Sequence, residues 1–211
     1  MALVMIMDGK SAPLSGADRL AYARCMTDRL EDSALMLRYQ DGDTGAFEVL
    51  YRRHNDSLFR YLLRLSGDRQ IAEDIFQEAW GKIIRSRSNY RPTAKFSTYL
   101  FRVAHNCFID YIRRNRRHQQ ETSADPDLCP DPGSAPEQLV ERHLARERLN
   151  IAITSLPDDQ RDVFLLHEEG GFSIDEIAQV TGVNRETAKS RLRYAVAKLR
   201  ASMSGAAPAR Q

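Results

Sequence analysis

Residues 96–117 read FSTYLFRVAHNCFIDYIRRNRR, and their reading decides the fold. Leu100, Val103, Ala104, Cys107, Phe108 and Tyr111 recur at i, i+3, i+4, i+7, i+8 and i+11, the stripe of an amphipathic helix that faces a core. Ser97 is placed to cap its start, since a serine oxygen accepts an orphan amide proton of the first turn. Off the stripe stand Tyr99, Phe101, Arg102, His105 and Asn106, ahead of a basic end at Arg113, Arg114, Arg116 and Arg117. From Gly81 to Arg117 there are ten Lys and Arg against the single acid Asp110, a field that suits a phosphate backbone. Aromatics beside that charge suit unpaired bases, which stack at about 1 to 3 kcal/mol each. The bland alternative is a solvated basic helix end whose aromatics complete a core.

Moving toward the N-terminus, a basic loop with Asn89, Tyr90, Arg91 and Pro92 leads into this helix. Before it, a helix starting at Asp68 carries Glu73, Asp74 and Glu78 around Ile71, Ile75 and Phe76, with Gln77 and Trp80 continuing outward. Acids near a helix start complement the macrodipole, so simple helix stabilisation competes there with a docking face for a basic partner. Earlier still, Phe47, Leu50, Tyr51, Leu58, Tyr61, Leu62 and Leu65 form another apolar stripe, which Thr44 can cap and Gly67 closes. A short helix from Asp32 to Tyr39 precedes it, stopped by Asp41-Gly42-Asp43. Residues 1–29 show no clean periodicity and read as a poorly ordered leader, with Met26 an alternative start; residues 30–117 form one four-helix domain.

Toward the C-terminus, residues 118–138 bring Pro126, Pro130, Pro132 and Pro136 among acids, with no Lys or Arg. Such a segment buries too little apolar surface to offset its ordering entropy, and reads as a flexible acidic linker. Either it is a plain tether or its charge mimics a nucleic-acid strand. Residues 139–203 form a second helical domain, and 204–211 a disordered tail. Within it Ser155-Leu156-Pro157 separates two helices, and Gly170-Gly171 ends the second. Ser173 and Glu176 then make an S-x-x-E capping box with Phe172 and Ile177 as its hydrophobic staple. Thr181-Gly182-Val183 turns the chain, and Asn184 can cap a helix to Arg200. Two helices joined by a short glycine turn are the helix-turn-helix pattern. On the second of them Ala188, Leu192, Ala195 and Leu199 make the buried stripe, which leaves Glu186, Lys189, Ser190 and Arg193 opposite. Arg or Lys to guanine, Glu to cytosine and Ser to either is major-groove chemistry, while Arg185 and Arg191 flank it as phosphate contacts.

Net charge is only +2 because opposite charges are segregated along the chain. Cys25, Cys107 and Cys129 lack disulfide or zinc spacing, and no metal site or cofactor is expected. No apolar run approaches the roughly 18 to 20 residues of a membrane span, so a cytoplasmic protein is expected. Gly-rich phosphate loops and nucleophile elbows are absent, which leaves an enzyme a weak reading.

Taken in order, Asp41-Gly42-Asp43 with Ala46-Phe47, Ala72 to Glu78, Phe96 to Ala104, Asp110 to Arg114, Leu156-Pro157, and Glu176-Ile177-Ala178 through Lys189 to Leu192 resemble the extracytoplasmic-function sigma factors of bacterial RNA polymerase. The resemblance covers Asp32 to Arg200 and implies an all-α fold of two small helical domains joined by the linker. It implies a promoter-specificity subunit whose partners are core RNA polymerase and promoter DNA. Asp74, Ile75, Gln77, Glu78 and Trp80 are then the core-docking set. Asn89, Tyr90, Phe96, Thr98, Tyr99, Arg102 and Asn106 capture an unstacked base of the minus-ten element, and the helix from Asn184 reads the minus-thirty-five element. An anti-sigma protein, membrane-linked, is a further expected partner. Tyr99 stands where the family usually has tryptophan, and Pro92-Thr93-Ala94-Lys95 replaces a glycine-containing acidic loop. The competing function is a stand-alone helix-turn-helix regulator whose first domain senses a ligand or binds a protein.

Lys189→Ala is expected to weaken minus-thirty-five discrimination by roughly 1 to 3 kcal/mol, read as the ratio of affinities for matched and mismatched duplexes. Equal loss on every sequence would make Lys189 a phosphate contact instead.

Overall fold

The computed structural model describes residues 29–121 and 148–203, which contain eight helices, one 3-10 turn and no strand. Most of the expected leader and linker, and all of the tail, lie outside these residues. Helices α1 (Asp32–Gln40), α2 (Thr44–Ser66), α3 (Arg69–Arg85) and α4 (Phe96–Glu121) form the first domain. A 3-10 turn, Arg87–Asn89, lies between α3 and α4. Helices α5 (148–154), α6 (Asp158–Glu168), α7 (Ile174–Thr181) and α8 (Arg185–Met203) form the second.

The caps explain most boundaries. α1 gives way to Asp41 and then Gly42, whose φ of 104° only glycine adopts without cost. Asp43, not Thr44, caps α2: its carboxylate accepts the Ala46 amide at 3.2 Å and pairs with Arg38 at 2.8 Å. A charged cap satisfies both the orphan donor and the positive helix end, and Thr44 becomes the first helical residue. Ser97 is likewise inside the first turn of α4, because Phe96 is drawn into the core and the Tyr99 amide already bonds the Lys95 carbonyl at 3.1 Å. At its far end α4 runs into the expected linker, to Glu121, since 118–121 contain no breaker. At the start of α1, Asp32 accepts from His54 at 2.6 Å and from Arg53, which fastens it to α2. The His54 bond, helped by Arg53 and opposed by burial, holds the Asp32 carboxyl below its ordinary range.

Leu50, Leu58, Leu62, Ile75, Ile83 and Leu100 are fully enclosed among α2, α3 and α4, each worth about 1.5 to 3 kcal/mol of burial. Trp80 is inside as well, edge-on to Phe47 at 5.6 Å. In the second domain the capping box is present: Ser173 Oγ accepts from the Glu176 amide, and Glu176 accepts from the Ser173 amide at 2.9 Å. Phe172 and Ile177, the staple, are both buried. Gly182 turns the chain at φ 71°, and Asn184 Oδ1 accepts from the Thr187 amide at 2.7 Å to start α8. Gly170 has no room for a side chain, since a Cβ there would lie 2.4 Å from the Phe172 ring and 2.8 Å from the Leu166 carbonyl.

The two domains are in contact. α4 packs on α7 and α2 on α6. Phe101, off the expected core stripe, is 1% exposed because it stands edge-on to Phe172 at 4.9 Å and tilted against Tyr61 at 5.3 Å. Beneath these rings Tyr61 donates a 2.7 Å hydrogen bond to Asp162 Oδ1, while His105 Nδ1 lies 3.1 Å from Asp162 Oδ2. All three residues are buried, and burial followed by the Asp162 charge pushes the Tyr61 hydroxyl well above its ordinary pKa. At the rim Glu169 pairs with Arg60 and Arg64 at 2.9 Å each, and Glu176 pairs with Lys95 at 2.9 Å.

Ser173→Ala removes one half of the capping box and is expected to cost about 1 kcal/mol, lowering the Tm by roughly 2 to 4 °C in thermal unfolding followed by circular dichroism. An unchanged Tm would mean that the Phe172 and Ile177 staple alone fixes this helix start.

Candidate nucleic-acid interface

The 3-10 turn and the following loop fold back on the start of α4, and the hollow between them is a small pocket of about 200 Å³. That is below the roughly 300 to 1,000 Å³ of a drug-sized ligand site, and suits one flat heterocycle. Tyr90 and Tyr99 form its aromatic wall, with ring centroids 5.4 Å apart. Tyr99 is held by its hydroxyl, 3.1 Å from Ser86 Oγ, and by Phe96 behind it at 6.4 Å. Asn89 and Arg102 stand exposed at the mouth.

Two of the residues that line this pocket, Tyr90 and Thr98, keep their hydroxyls inside the protein. The Tyr90 hydroxyl and Thr98 Oγ1 are both buried, and neither has a hydrogen-bond partner in the protein. A buried hydroxyl left unpaired costs about 1 to 3 kcal/mol. Beside the pocket, and sharing Asn89 with it, a shallower groove is lined by Lys82, Arg85, Asn106 and Asp110. The arrangement can therefore stack a base, bond its edge and hold the adjoining phosphates.

Of the residues expected here, Asn89, Arg102 and Asn106 are exposed, Tyr99 is half-buried, and Tyr90 and Thr98 are buried but line the pocket. Phe96 is 1% exposed and serves as support behind Tyr99. Phe101 and His105 turn instead into the contact between domains, which one helical stripe does not reveal; their i, i+4 spacing is the only signal of a second buried face.

On α8, Glu186, Lys189 and Arg193 are exposed and Ser190 half-buried, opposite the buried Ala188, Ala195 and Leu199. Lys189 has no ion-pair partner among the described residues, whereas Arg185 pairs with Asp175 at 2.8 Å and Arg191 with Asp159. Arg193 lies over the Tyr194 ring at 5.1 Å.

Further along the same two helices, α3 and α4, Asp74 and Gln77 are exposed and Glu78 is half-buried. Ile75 and Trp80, expected beside them, are buried: Ile75 still borders the groove with Asp74 and Glu78, while Trp80 packs on Phe47. Asp74 and Glu78 line a groove with Tyr111 and Arg114. Desolvation raises the Glu78 carboxyl, but Lys82 at 3.0 Å and Arg114 at 3.4 Å outweigh it and hold it below its ordinary range. No group of His, Cys, Asp and Glu among the described residues has metal-binding geometry.

Comparison with known proteins gives the same two-part division. Residues 50–118 match the sigma-70 region 2 family and residues 146–199 the sigma-70 region 4 family. The chain is 34% identical to the ECF RNA polymerase sigma factor SigE of Mycolicibacterium smegmatis, over 75% of this chain and 63% of that protein. With the RNA polymerase sigma factor CarQ of Myxococcus xanthus it shares 31% identity over 78% of this chain and 93% of that protein. Among solved structures, a sigma factor RpoE in complex with the anti-sigma factor NepR, from Bartonella quintana, has the same fold, with a TM-score of 0.64 and 22% identity, covering 75% of this chain and 96% of that one.

Arg102→Ala is expected to weaken binding of a single-stranded oligonucleotide and to reduce the slope of log affinity against log salt by about 0.7, the loss of one phosphate contact on a single strand. A weaker complex with the same slope would place Arg102 on a base instead.

Proposed function

We propose how this chain, which belongs to the extracytoplasmic-function sigma factors of bacterial RNA polymerase, divides its work among three surfaces. As an RNA polymerase sigma factor it serves transcription initiation, and its own part is binding rather than catalysis. The groove around Asp74, Gln77 and Glu78 docks on core polymerase. The pocket between Tyr90 and Tyr99 takes one flipped base of the minus-ten element, and α8 reads the minus-thirty-five element through Glu186, Lys189, Ser190 and Arg193, with Arg185 and Arg191 on phosphates.

The observation that carries this reading is a pocket of one heterocycle's size, walled by Tyr90 and Tyr99 and bordered by Arg102. Unstacking a base costs a few kcal/mol. Stacking returns about 1 to 3 kcal/mol, and contacts to the adjoining phosphates add to it, so capture of one base offsets the opening of the duplex there. Tyr99 in place of the family's tryptophan keeps the stack with a smaller ring. The loop Pro92 to Lys95, basic where the family is acidic, gives this chain its own base preference.

An anti-sigma protein is the expected regulator, as NepR is the partner of the Bartonella quintana protein in its solved complex. No helix among the described residues is long and apolar enough to cross a membrane, which supports work beside polymerase in the cytoplasm.

The experiment is binding to core RNA polymerase, comparing the native chain with Asp74→Lys combined with Glu78→Lys. Tight binding by the native chain, lost on charge reversal, is the expected result. Binding that survives the reversal would move the docking surface elsewhere. No binding by the native chain would leave a free helix-turn-helix regulator.

A further inference from the structure

Helix α1 carries none of the expected site residues, yet it meets the surroundings of the base pocket at both ends. At its C-terminal end Gln40 donates to the Ser88 carbonyl at 2.6 Å and Arg87 lies over the Tyr39 ring at 5.4 Å, which holds the 3-10 turn beside the pocket. At its N-terminal end Asp32 accepts from His54 Nε2 at 2.6 Å. A carboxylate only accepts, so this bond fixes Nε2 as the protonated ring nitrogen and orients the imidazole. Arg53 holds the same carboxylate and also donates to the Leu30 carbonyl at 2.9 Å, so Asp32 is itself anchored.

From His54 a chain of rings leads to the pocket. The imidazole lies 5.5 Å from the Phe96 ring, tilted by 55°. Phe96 in turn lies 6.4 Å from both Tyr90 and Tyr99, the two walls, which are 5.4 Å from each other. Tyr99 has a polar anchor of its own at Ser86. Tyr90 has none: its hydroxyl lacks a hydrogen-bond partner in the protein, and its ring is placed by the packing of its neighbours. A close-packed interior passes a displacement along such a chain, because it holds few voids to absorb one.

We infer that Asp32 and His54 are positioning residues of the minus-ten pocket: the hydrogen bond between α1 and α2 sets the His54 ring, His54 sets Phe96, and Phe96 sets the tyrosine walls between which the base stacks. The inference rests on the base-pocket reading and adds to it two residues that act through others rather than on the base. A binding site holds its walls to within about 0.5 Å only when the side chains behind them are locked by packing and hydrogen bonds. The competing role of Asp32 is local, since an acid in the first turn of a helix complements the macrodipole. The two roles separate on substitution: asparagine keeps an oxygen for His54 Nε2 and loses the charge, whereas alanine loses both.

The test is binding of the full chain to a single-stranded oligonucleotide carrying all four bases and to an abasic strand of the same length. The ratio of the two affinities reads the stacked base, and the abasic strand alone reads the phosphate contacts. The native chain should prefer the base-bearing strand. Asp32→Ala should lower that preference by about 5-fold, the low end of what stacking one base contributes, while its affinity for the abasic strand and its dependence on salt stay native. Asp32→Asn should keep most of the native preference. Should Asp32→Ala lose helicity in circular dichroism, His54→Phe keeps a ring against Phe96, deletes the Nε2 donor, and should lower the preference in the same way. A preference that survives both Asp32→Ala and His54→Phe, or that falls equally with alanine and asparagine, would overturn the inference and leave the base-pocket reading intact. A native chain that binds both strands equally would overturn the base-pocket reading itself, and the inference with it.

Discussion

One helix has three neighbours to satisfy, and the rest of the structure follows from how α4 divides its circumference among them. One face, with Leu100, Ala104 and Cys107, belongs to the core of its own domain. A second, with Phe101 and His105, is buried against the other domain. The third, with Tyr99, Arg102 and Asn106, borders the pocket and the basic groove. At 100° per residue no side chain of α4 can move from one face to another without rotating the whole helix. Substitutions at Leu100, Ala104 or Cys107 therefore reach the pocket through the orientation of the helix, whereas Phe96, packed on Tyr90 and Tyr99, reaches it by contact.

Much of this was legible in the chain. The capping box, the glycine turn and the stripe of α8 are local signals, and the structure reproduces them because nothing distant competes with a satisfied cap. The acidic surface of α3 and the basic run around α4 were visible as charge. Two helix starts differed from expectation for local reasons, Asp43 in place of Thr44 and Phe96 ahead of Ser97. What periodicity could not supply was the meeting of the domains. Asp162 in α6 looks like an ordinary surface acid beside Asp158 and Asp159, and Tyr61 like one more core aromatic. Only their approach across about a hundred residues of chain makes one the hydrogen-bond partner of the other. Trp80, expected to point outward, is likewise explained by tertiary packing, since Phe47 and Tyr51 surround it.

The buried polar atoms fall into two kinds with opposite meanings. Asp162 and the Tyr61 hydroxyl satisfy each other, and such a pair is expensive to separate because each member would then be left alone in a dry site. The Tyr90 and Thr98 hydroxyls are satisfied by nothing in the protein. Trp80 Nε1, His105 Nδ1 and Arg161 Nε are buried without a hydrogen-bond partner as well, so the Tyr61–Asp162 pair is the satisfied exception among these buried side chains.

The loop that walls the base pocket is also unevenly anchored. At its near end Arg87 lies over the Tyr39 ring at 5.4 Å and Gln40 donates to the Ser88 carbonyl at 2.6 Å, so α1 splints the 3-10 turn. Beyond Tyr90, residues 91–93 are exposed and carry one short backbone bond, Thr93 to Arg91. In amide hydrogen exchange the two halves should behave as different materials, the first slow and the second fast. Under the proposed function, a base entering this pocket would meet an anchored floor and an exposed loop, which would leave discrimination to the floor and residence time to the loop.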